Sequence, residues 1–375
     1  MNIGLMIYGR LDTLTGGYLY DRHMAAALER RGHRVTVFGL PDGSYPGRLL
    51  RNISLRPASL IDSRRLDILL QDELCHPSLI RPNRRRRPAS PPIVTVVHQV
   101  LCDEPRPSWQ NRIFRLVEKR YLDDVDGFVF NSRTTRDTVW GLTPNNRPHV
   151  VAPPGGDRLG CPMTPEAISE RSFPAASLRL LFLGNVISRK GLLPLIASLA
   201  GLPRQSWELR VVGRMGMNPG HARRVMREVW SRKLADRVRF LGRLEGLPLT
   251  QELSRAQVLC MPFAYEGFGM ATLEAQAFGL PVIGSLKGAT REIVQDGFNG
   301  FLVGPNDLEA VRSAVSALND DRELLMRMSL AARRSFDRHP SWNTSMERLA
   351  AFLEALGSSD PRPVDTAIGP NPGTR

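Results

Sequence analysis

At 375 residues the chain exceeds one ordinary hydrophobic core and suits two domains. Its 42% hydrophobic and 23% charged residues are those of a globular protein, which excludes a disordered or fibrous chain. A formal net charge of +14 favours anionic partners such as nucleotide phosphates, anionic lipid head groups or nucleic acid, without choosing among them.

In chain order, Ile3 to Ile7 predicts a buried strand, Gly16-Gly17 a turn, Tyr18 to Arg31 a helix and Gly32 its cap. Val35 to Phe38 predicts the next strand, so the chain opens with a β-α-β unit and a parallel sheet. The stretch from Pro41 to Pro92, rich in Arg, Pro and Ser, reads mostly as surface connections. Ile93 to His98 and Gly127 to Asn131 supply further strands that end in polar residues at the carboxyl edge of that sheet. Pro153-Pro154-Gly155-Gly156-Asp157 breaks the pattern, and Asp157 to Ser177 reads as an irregular interdomain stretch. A second α/β unit follows, with strands at Leu178 to Leu183, Trp207 to Val212, Val258 to Met261, Val282-Ile283 and Phe301 to Val303, and a helix at Gly191 to Leu199. The expected division is 1–157, 158–356 with a last helix able to pack back on the first unit, and a disordered tail over 357–375.

No secretory leader or span of transmembrane length is recognised, which gives a cytoplasmic expectation. Cys75, Cys102, Cys161 and Cys260 form no Cys-x-x-Cys pair, so they read as reduced structural thiols rather than zinc ligands or disulfides.

The most informative stretch runs from Phe263 through Glu266-Gly267-Phe268-Gly269 to Glu274 and Ile283, as strand, loop, helix, turn and strand. Its glycines let the loop approach a ligand, and a carboxylate, which only accepts hydrogen bonds, suits vicinal sugar hydroxyls. Glu266 falls on the loop and Glu274 in the early helix; taken alone, both also fit plain solvated acids. Ser188-Arg189-Lys190-Gly191 places two cations at a helix start, where backbone N–H groups already favour an anion such as a diphosphate. Gly16-Gly17 can bring backbone N–H groups to a phosphate or acceptor but is not a G-x-G-x-x-G fingerprint, which argues against a nicotinamide enzyme. His98 ends its strand at the edge where α/β clefts bind ligands.

Glu266 and Glu274 with their intervening residues resemble the E-x7-E motif of the retaining glycosyltransferases of family four, which have the GT-B fold of two Rossmann-like domains facing across a cleft. Gly288 to Val303 is similar to the same family's next segment, and Asn131-Ser132 also resembles a family segment. Pro154-Gly155-Gly156-Asp157 does too, with a departure from the usual Asn-Gly order. The resemblance implies that Glu274 binds the nucleotide ribose, that Glu266 contacts the transferred sugar, that Arg189 and Lys190 neutralise the departing diphosphate, and that His98 hydrogen-bonds the sugar. Gly16, Gly17, Gly267, Phe268 and Gly269 complete the expected donor-binding set. The implied activity is metal-independent transfer of a sugar, from a UDP- or GDP-sugar, to a hydroxyl acceptor that is a lipid, glycan or small molecule, without a cofactor.

Asp124-Val125-Asp126 has the Asp-x-Asp spacing of metal-dependent glycosyltransferases, but it lies between a helix and a strand where acids are ordinary turn residues, so no metal site is expected there. Arg84 to Arg87 reads as a mobile loop. Trp109 to Leu122 interleaves Arg112, Arg115, Lys119 and Arg120 with apolar residues, which fits a helix lying on an anionic membrane at the inner face and equally a core-packed helix with a solvated basic face. The competing readings are a GT-B phosphorylase or nucleotide-sugar epimerase, and a non-catalytic anion- or nucleic-acid-binding protein. No recognised nucleic-acid module accompanies the charge, and aromatic content is 7%, so nucleic acid is not expected as a partner.

Overall fold

Runs such as Ile93–Val97 and Val258–Met261 are buried at every position, which a strand sustains only in a parallel sheet covered by helices on both faces. The computed structural model describes residues 1–13, 15–54, 66–86, 88, 90–144, 146–160, 163–173, 177–262 and 264–358. Arg87, Cys161, Phe263 and the expected tail from 359 onward lie outside the described residues.

The first sheet holds β1 (Asn2–Tyr8), β2 (Arg34–Leu40), β3 (Ile68–Asp72), β4 (Ile93–Val97), β5 (Gly127–Phe130) and β6 (His149–Val151) in the order β2-β1-β3-β4-β5-β6. The second holds β7 (Leu178–Leu183), β8 (Trp207–Val212), β9 (Val238–Gly242), β10 (Val258–Met261), β11 (Val282–Ser285) and β12 (Gly300–Val303) in the order β12-β11-β10-β7-β8-β9. All pairings are parallel. The strand order reverses between β1 and β3 in one sheet and between β7 and β10 in the other. Loops leaving those strands therefore diverge and open a crevice at each carboxyl edge.

Three sequence expectations are corrected. The segment from Pro41 to Pro92 is not mostly surface connection: it contains helices Tyr45–Ser54 and His76–Arg84, and β3 lies between β1 and β4 with all five residues buried. Asp157 to Ser177 is not irregular throughout, since Pro165–Ser172 is a helix capped by the Thr164 side chain. Its buried Arg171 donates to the carbonyls of Phe278 and Gly279 at 2.9 and 2.8 Å, satisfying acceptors that the helix Met270–Ala277 leaves open at its end. Nor do Arg84 to Arg86 form a free loop: Arg84 closes a helix and pairs with Asp124 at 2.8 Å, while Arg86 pairs with Asp126.

The chain crosses back at its end. Trp342, Met346, Leu349, Phe352 and Leu353 of helix Trp342–Gly357 share one apolar core with Ile3, Leu5, Met24, Leu28 and Val94 of the first unit. Ion pairs from Arg31 to Glu347 and Glu354 at 2.5 and 2.6 Å fringe that contact and add little, being partly exposed. Stability of the first unit thus rests on side chains from the far end of the sequence. Leu353→Ala is expected to cost about 2–5 kcal/mol in denaturant unfolding, as for other buried leucines; a loss under about 1 kcal/mol would show that the last helix is not part of that core.

Candidate active site

The loop between β10 and the helix Met270–Ala277 is shaped by positions that only glycine fills. The helix starts on Gly269, whose φ of 93° is left-handed, and stops at Gly279, φ 65°. Gly288, φ 78°, runs so close to the loop that a Cβ there would lie 2.1 Å from the Glu266 carbonyl oxygen. Ala289 N–H donates to that same oxygen at 3.2 Å, so the segment after β11 braces the loop from behind.

Glu266 faces the loop that leaves β7. Lys190 Nζ donates to its Oε2 at 2.5 Å, and Arg189 Nη1 lies 3.6 Å from the same oxygen. Ala264 N–H donates to the Arg189 carbonyl at 2.9 Å, which ties the two switch-point loops together through backbone. Burial alone would push the Glu266 carboxyl up; the charges of Lys190 and then Arg189 outweigh it and hold it below the ordinary value. Burial moves Lys190 below the usual lysine value, with Glu266 opposing.

Glu274 is 5% exposed, so it is not the solvated helix residue that sequence alone also allowed. Its Oε1 accepts from Arg158 Nε at 2.5 Å. Burial raises its pKa, and Arg158 offsets that only in part. Phe268 is buried against Leu273, Ile293 and Phe336, so its ring packs the loop down instead of projecting from it.

At the edge of the first sheet, His98 follows β4 and its Nε2 lies 3.0 Å from Asp21 Oδ1. Burial opposes its charge, but Asp21, then Asp72 and Glu73, more than compensate and push it up to about 9, so the imidazole is cationic at neutral pH. Asp72 at the end of β3 is in turn pushed up to about 6, chiefly by burial. Gly16 and Gly17 are corrected from a turn to the first two residues of helix Gly16–Arg30. They remain tight against the site: a Cβ on Gly17 would lie 3.2 Å from the His98 ring, and one on Gly16 would lie 2.5 Å from Met270 of the other unit.

The two edges meet. A Cβ on Gly267 would fall 2.2 Å from the His98 carbonyl oxygen, and Ser132 Oγ donates to the Gly267 carbonyl at 3.3 Å. Glu292 accepts from the N–H groups of Arg133 and Thr134 at 3.1 and 2.6 Å, so a carboxylate of the second unit caps helix Arg133–Trp140 of the first. His98, Gly16, Gly17, Gly267, Glu266, Arg189 and Lys190 therefore belong to one seam, with Glu274 set one helical stretch behind it beside Arg158.

Asp21, Asp72, Arg158 and Glu292 were not singled out from sequence. Asp21 sits on an amphipathic helix with no motif around it, and Asp72 lies in the segment read as connections; the Gln71-Asp72-Glu73 end of an apolar run was the available signal. Among the described residues two trios bring three ligand atoms within 4.8 Å, Asp21-Asp72-His98 and Glu73-His76-Glu118. In the first, Asp21 Oδ1 already engages His98 Nε2 at 3.0 Å. In the second, the Glu118 carboxylate accepts from the N–H groups of Leu101 and Cys102 at 2.5 and 3.0 Å, and burial pushes Glu118 up to about 7 and His76 down to about 4. Asp126 is engaged by Arg86 and by Ile93 N–H at 2.8 Å, as suits a structural turn. Among the described residues no helix is long and apolar enough to cross a membrane.

The sequence model described as Glycosyl transferases group 1 matches residues 164–335, and that described as Glycosyltransferase Family 4 matches residues 20–157. D-inositol 3-phosphate glycosyltransferase of Corynebacterium aurimucosum is 30% identical over 251 residues, 63% of this chain and 58% of that protein. The enzyme of the same name from Actinosynnema mirum is 26% identical over 390 residues, 90% of this chain and 91% of that one. Among solved structures, sucrose-phosphate synthase from Thermosynechococcus elongatus superposes with a TM-score of 0.80 at 20% identity, covering 95% of this chain and 98% of that chain. Anabaena Alr3699/HepE in complex with UDP-glucose gives a TM-score of 0.74 at 18% identity, covering 95% and 100%. The two matched segments, the two facing parallel sheets and the seam between their carboxyl edges lead to one conclusion: the chain belongs to the group 1, family four glycosyltransferases and has their GT-B fold.

Proposed function

We propose that this glycosyltransferase moves a sugar from a nucleoside-diphosphate sugar to a hydroxyl acceptor with retention at the anomeric carbon and without a metal ion. The observation that carries this reading is Glu266 beside Lys190 and Arg189 at the β7/β10 crevice. In this reading residues 158–356 hold the donor and residues 1–157 the acceptor. Glu274 accepts from the ribose hydroxyls, and Glu266 and His98 bond the transferred sugar. The cations Arg189 and Lys190 receive the diphosphate, and the N–H groups of Gly16, Gly17, Gly267 and Gly269 line its path. The solved complexes with UDP and UDP-glucose make a uridine donor the first to test, ahead of a GDP-sugar.

The bond between the anomeric carbon and the diphosphate oxygen breaks, and negative charge grows where Arg189 and Lys190 are already fixed. The acceptor oxygen attacks from the same face, forms the new bond, and passes its proton to a departing phosphate oxygen, so no side chain acts as base. Lys190 must exchange its contact with Glu266 for the phosphate, which frees Glu266 for a sugar hydroxyl. Positioning supplies the rest, and the closed seam keeps water from the donor.

We also propose a peripheral contact with anionic membrane at the inner face. Helix Ser108–Leu122 exposes Trp109, Ile113 and Leu116 at the four- and three-residue spacings of one stripe, and Trp109 is 62% exposed. Arg112, Arg115, Lys119 and Arg120 are exposed on the same helix. The neighbouring helix Tyr45–Ser54, joined to it by the Tyr45–Phe114 ring contact, exposes Leu50 and Ile53. Apolar residues among cations suit a surface with acyl chains beneath anionic head groups.

Glu274→Gln should weaken nucleoside-diphosphate binding by about 1.5–3 kcal/mol, tenfold or more, whereas Glu266→Gln should spare binding and lower donor turnover. Calorimetry with UDP and GDP in EDTA, donor-hydrolysis rates and thermal unfolding check this together. Normal binding and turnover in both variants, or strict dependence on a divalent ion, would remove the proposed site.

Sedimentation with vesicles should rise with anionic lipid, fall with salt, and drop in Trp109→Ser/Leu116→Ser. Equal, negligible binding to neutral and anionic vesicles would point to a soluble acceptor instead.

A further inference from the structure

We infer that Arg158 is a positioning residue of the donor site: it holds the Glu274 carboxylate through a charge-assisted hydrogen bond and thereby ties nucleotide affinity to the segment joining the two sheets. The inference rests on the reading that Glu274 binds the ribose.

The geometry is specific. Arg158 lies in the short helical turn Asp157–Leu159, directly after Gly155 and Gly156. A Cβ on Gly155 would lie 2.2 Å from Trp342 N, and one on Gly156 would lie 2.7 Å from both Leu273 and Phe336. Asp157 Oδ1 accepts from Trp342 N–H at 3.0 Å, and His339 Nε2 lies 2.9 Å from the Pro154 carbonyl. The joining segment is thus clamped between the last helix, which belongs to the first unit's core, and the helix that carries Glu274. From that clamp Arg158 reaches Glu274 Oε1 at 2.5 Å, across 116 positions of sequence.

Neighbouring charges are committed elsewhere. On the elements packed against helix Met270–Ala277, Arg333 donates to the Ala277 carbonyl and pairs with Asp337, Glu292 caps Arg133–Trp140, Asp157 bonds Trp342, and His339 faces Pro154. β10 offers only the buried Cys260 thiol, β11 has no titratable group, and the helix has none besides Glu274. Among the described residues Arg158 is therefore the one cation on this carboxylate. A guanidinium serves well here, because it stays charged at all working pH and fixes the direction of the acceptor oxygen.

The sign of the pH effect follows. Burial already lifts Glu274 above the ordinary carboxyl value with Arg158 in place. Removing Arg158 lifts it further, so protonation sets in at higher pH. Ribose binding needs the ionised form, so affinity is present above that pKa and lost as pH falls through it.

UDP and GDP are titrated by calorimetry into the full chain, wild type, Arg158→Gln, Arg158→Lys and Glu274→Gln, over about pH 6 to 9. Arg158→Gln should weaken the better-binding nucleotide about tenfold near neutral pH, with a loss that shrinks towards pH 9. Arg158→Lys, which retains a cation, should keep the wild-type pH profile at a few-fold lower affinity. In the Glu274→Gln background, Arg158→Gln should change affinity less than about twofold, because no carboxylate remains to hold. A pH-independent loss, or equal losses with and without the Glu274 carboxylate, would reduce Arg158 to ordinary structure and overturn the inference. If Arg158→Gln does not fold, Arg158→Lys takes its place in the cycle, and a loss of equal size with and without the Glu274 carboxylate overturns the inference. Should Glu274→Gln itself bind nucleotide normally, the ribose reading fails; should Glu274→Gln weaken binding and Arg158→Gln not, only this inference fails.

Discussion

Two cations on the β7 loop decide the charge of Glu266 on the β10 loop, and the rest of the cleft is arranged around that ion pair. Burial alone would push this carboxyl above its ordinary value. Lys190 and Arg189 bring it below that value from contact distance, which requires the two strand ends to be neighbours, and the order reversal between β7 and β10 provides that. The glycines follow from the same demand. Gly288 permits the brace behind Glu266, Gly269 starts the next helix in a conformation that L side chains rarely adopt, and Gly267 lets the loop lie on His98.

The molecule's large positive charge is not what fills the cleft. Arg158, Arg189 and Lys190 each face a glutamate, and His98 faces Asp21. The seam is a set of matched pairs awaiting exchange, in which an incoming anion competes with a protein carboxylate for each cation. A second group of basic side chains faces solvent on the outside of the first unit, on the helix that begins at Ser108. One net charge thus describes two physically separate situations, and no composition could distinguish them.

Sequence made much of this legible where a residue's role is local. Glu266, Glu274, Arg189 and Lys190 stand in stretches whose strand, glycine loop and helix follow directly, and their elements fall where the patterns put them. β3 escaped because five buried residues lie within a segment whose Arg, Pro and Ser content reads as loop. The helix Pro165–Ser172 escaped for a similar reason, its value being a buried arginine that serves carbonyls 107 and 108 positions away. Asp21, Arg158 and Glu292 act only through partners brought near by folding, and long-range pairing leaves no local periodicity to read. The extra constraint on Gly155 and Gly156 is equally invisible until Trp342 and Leu273 are placed against them.

The return of the last helix to the first sheet sets an order of assembly. During synthesis the first unit emerges complete in strands but without Trp342, Met346, Leu349 and Leu353, so the apolar surface around Leu5, Met24 and Val94 stays open while the second unit is made. At ordinary ribosomal rates that interval is on the order of ten seconds or more. The nascent chain therefore passes through a stage in which one face of an almost finished sheet is available to chaperones or to other nascent chains. Closure of that face waits for helix Trp342–Gly357, which also completes the clamp on the joining segment, so a properly seated donor site reports that this helix has been made.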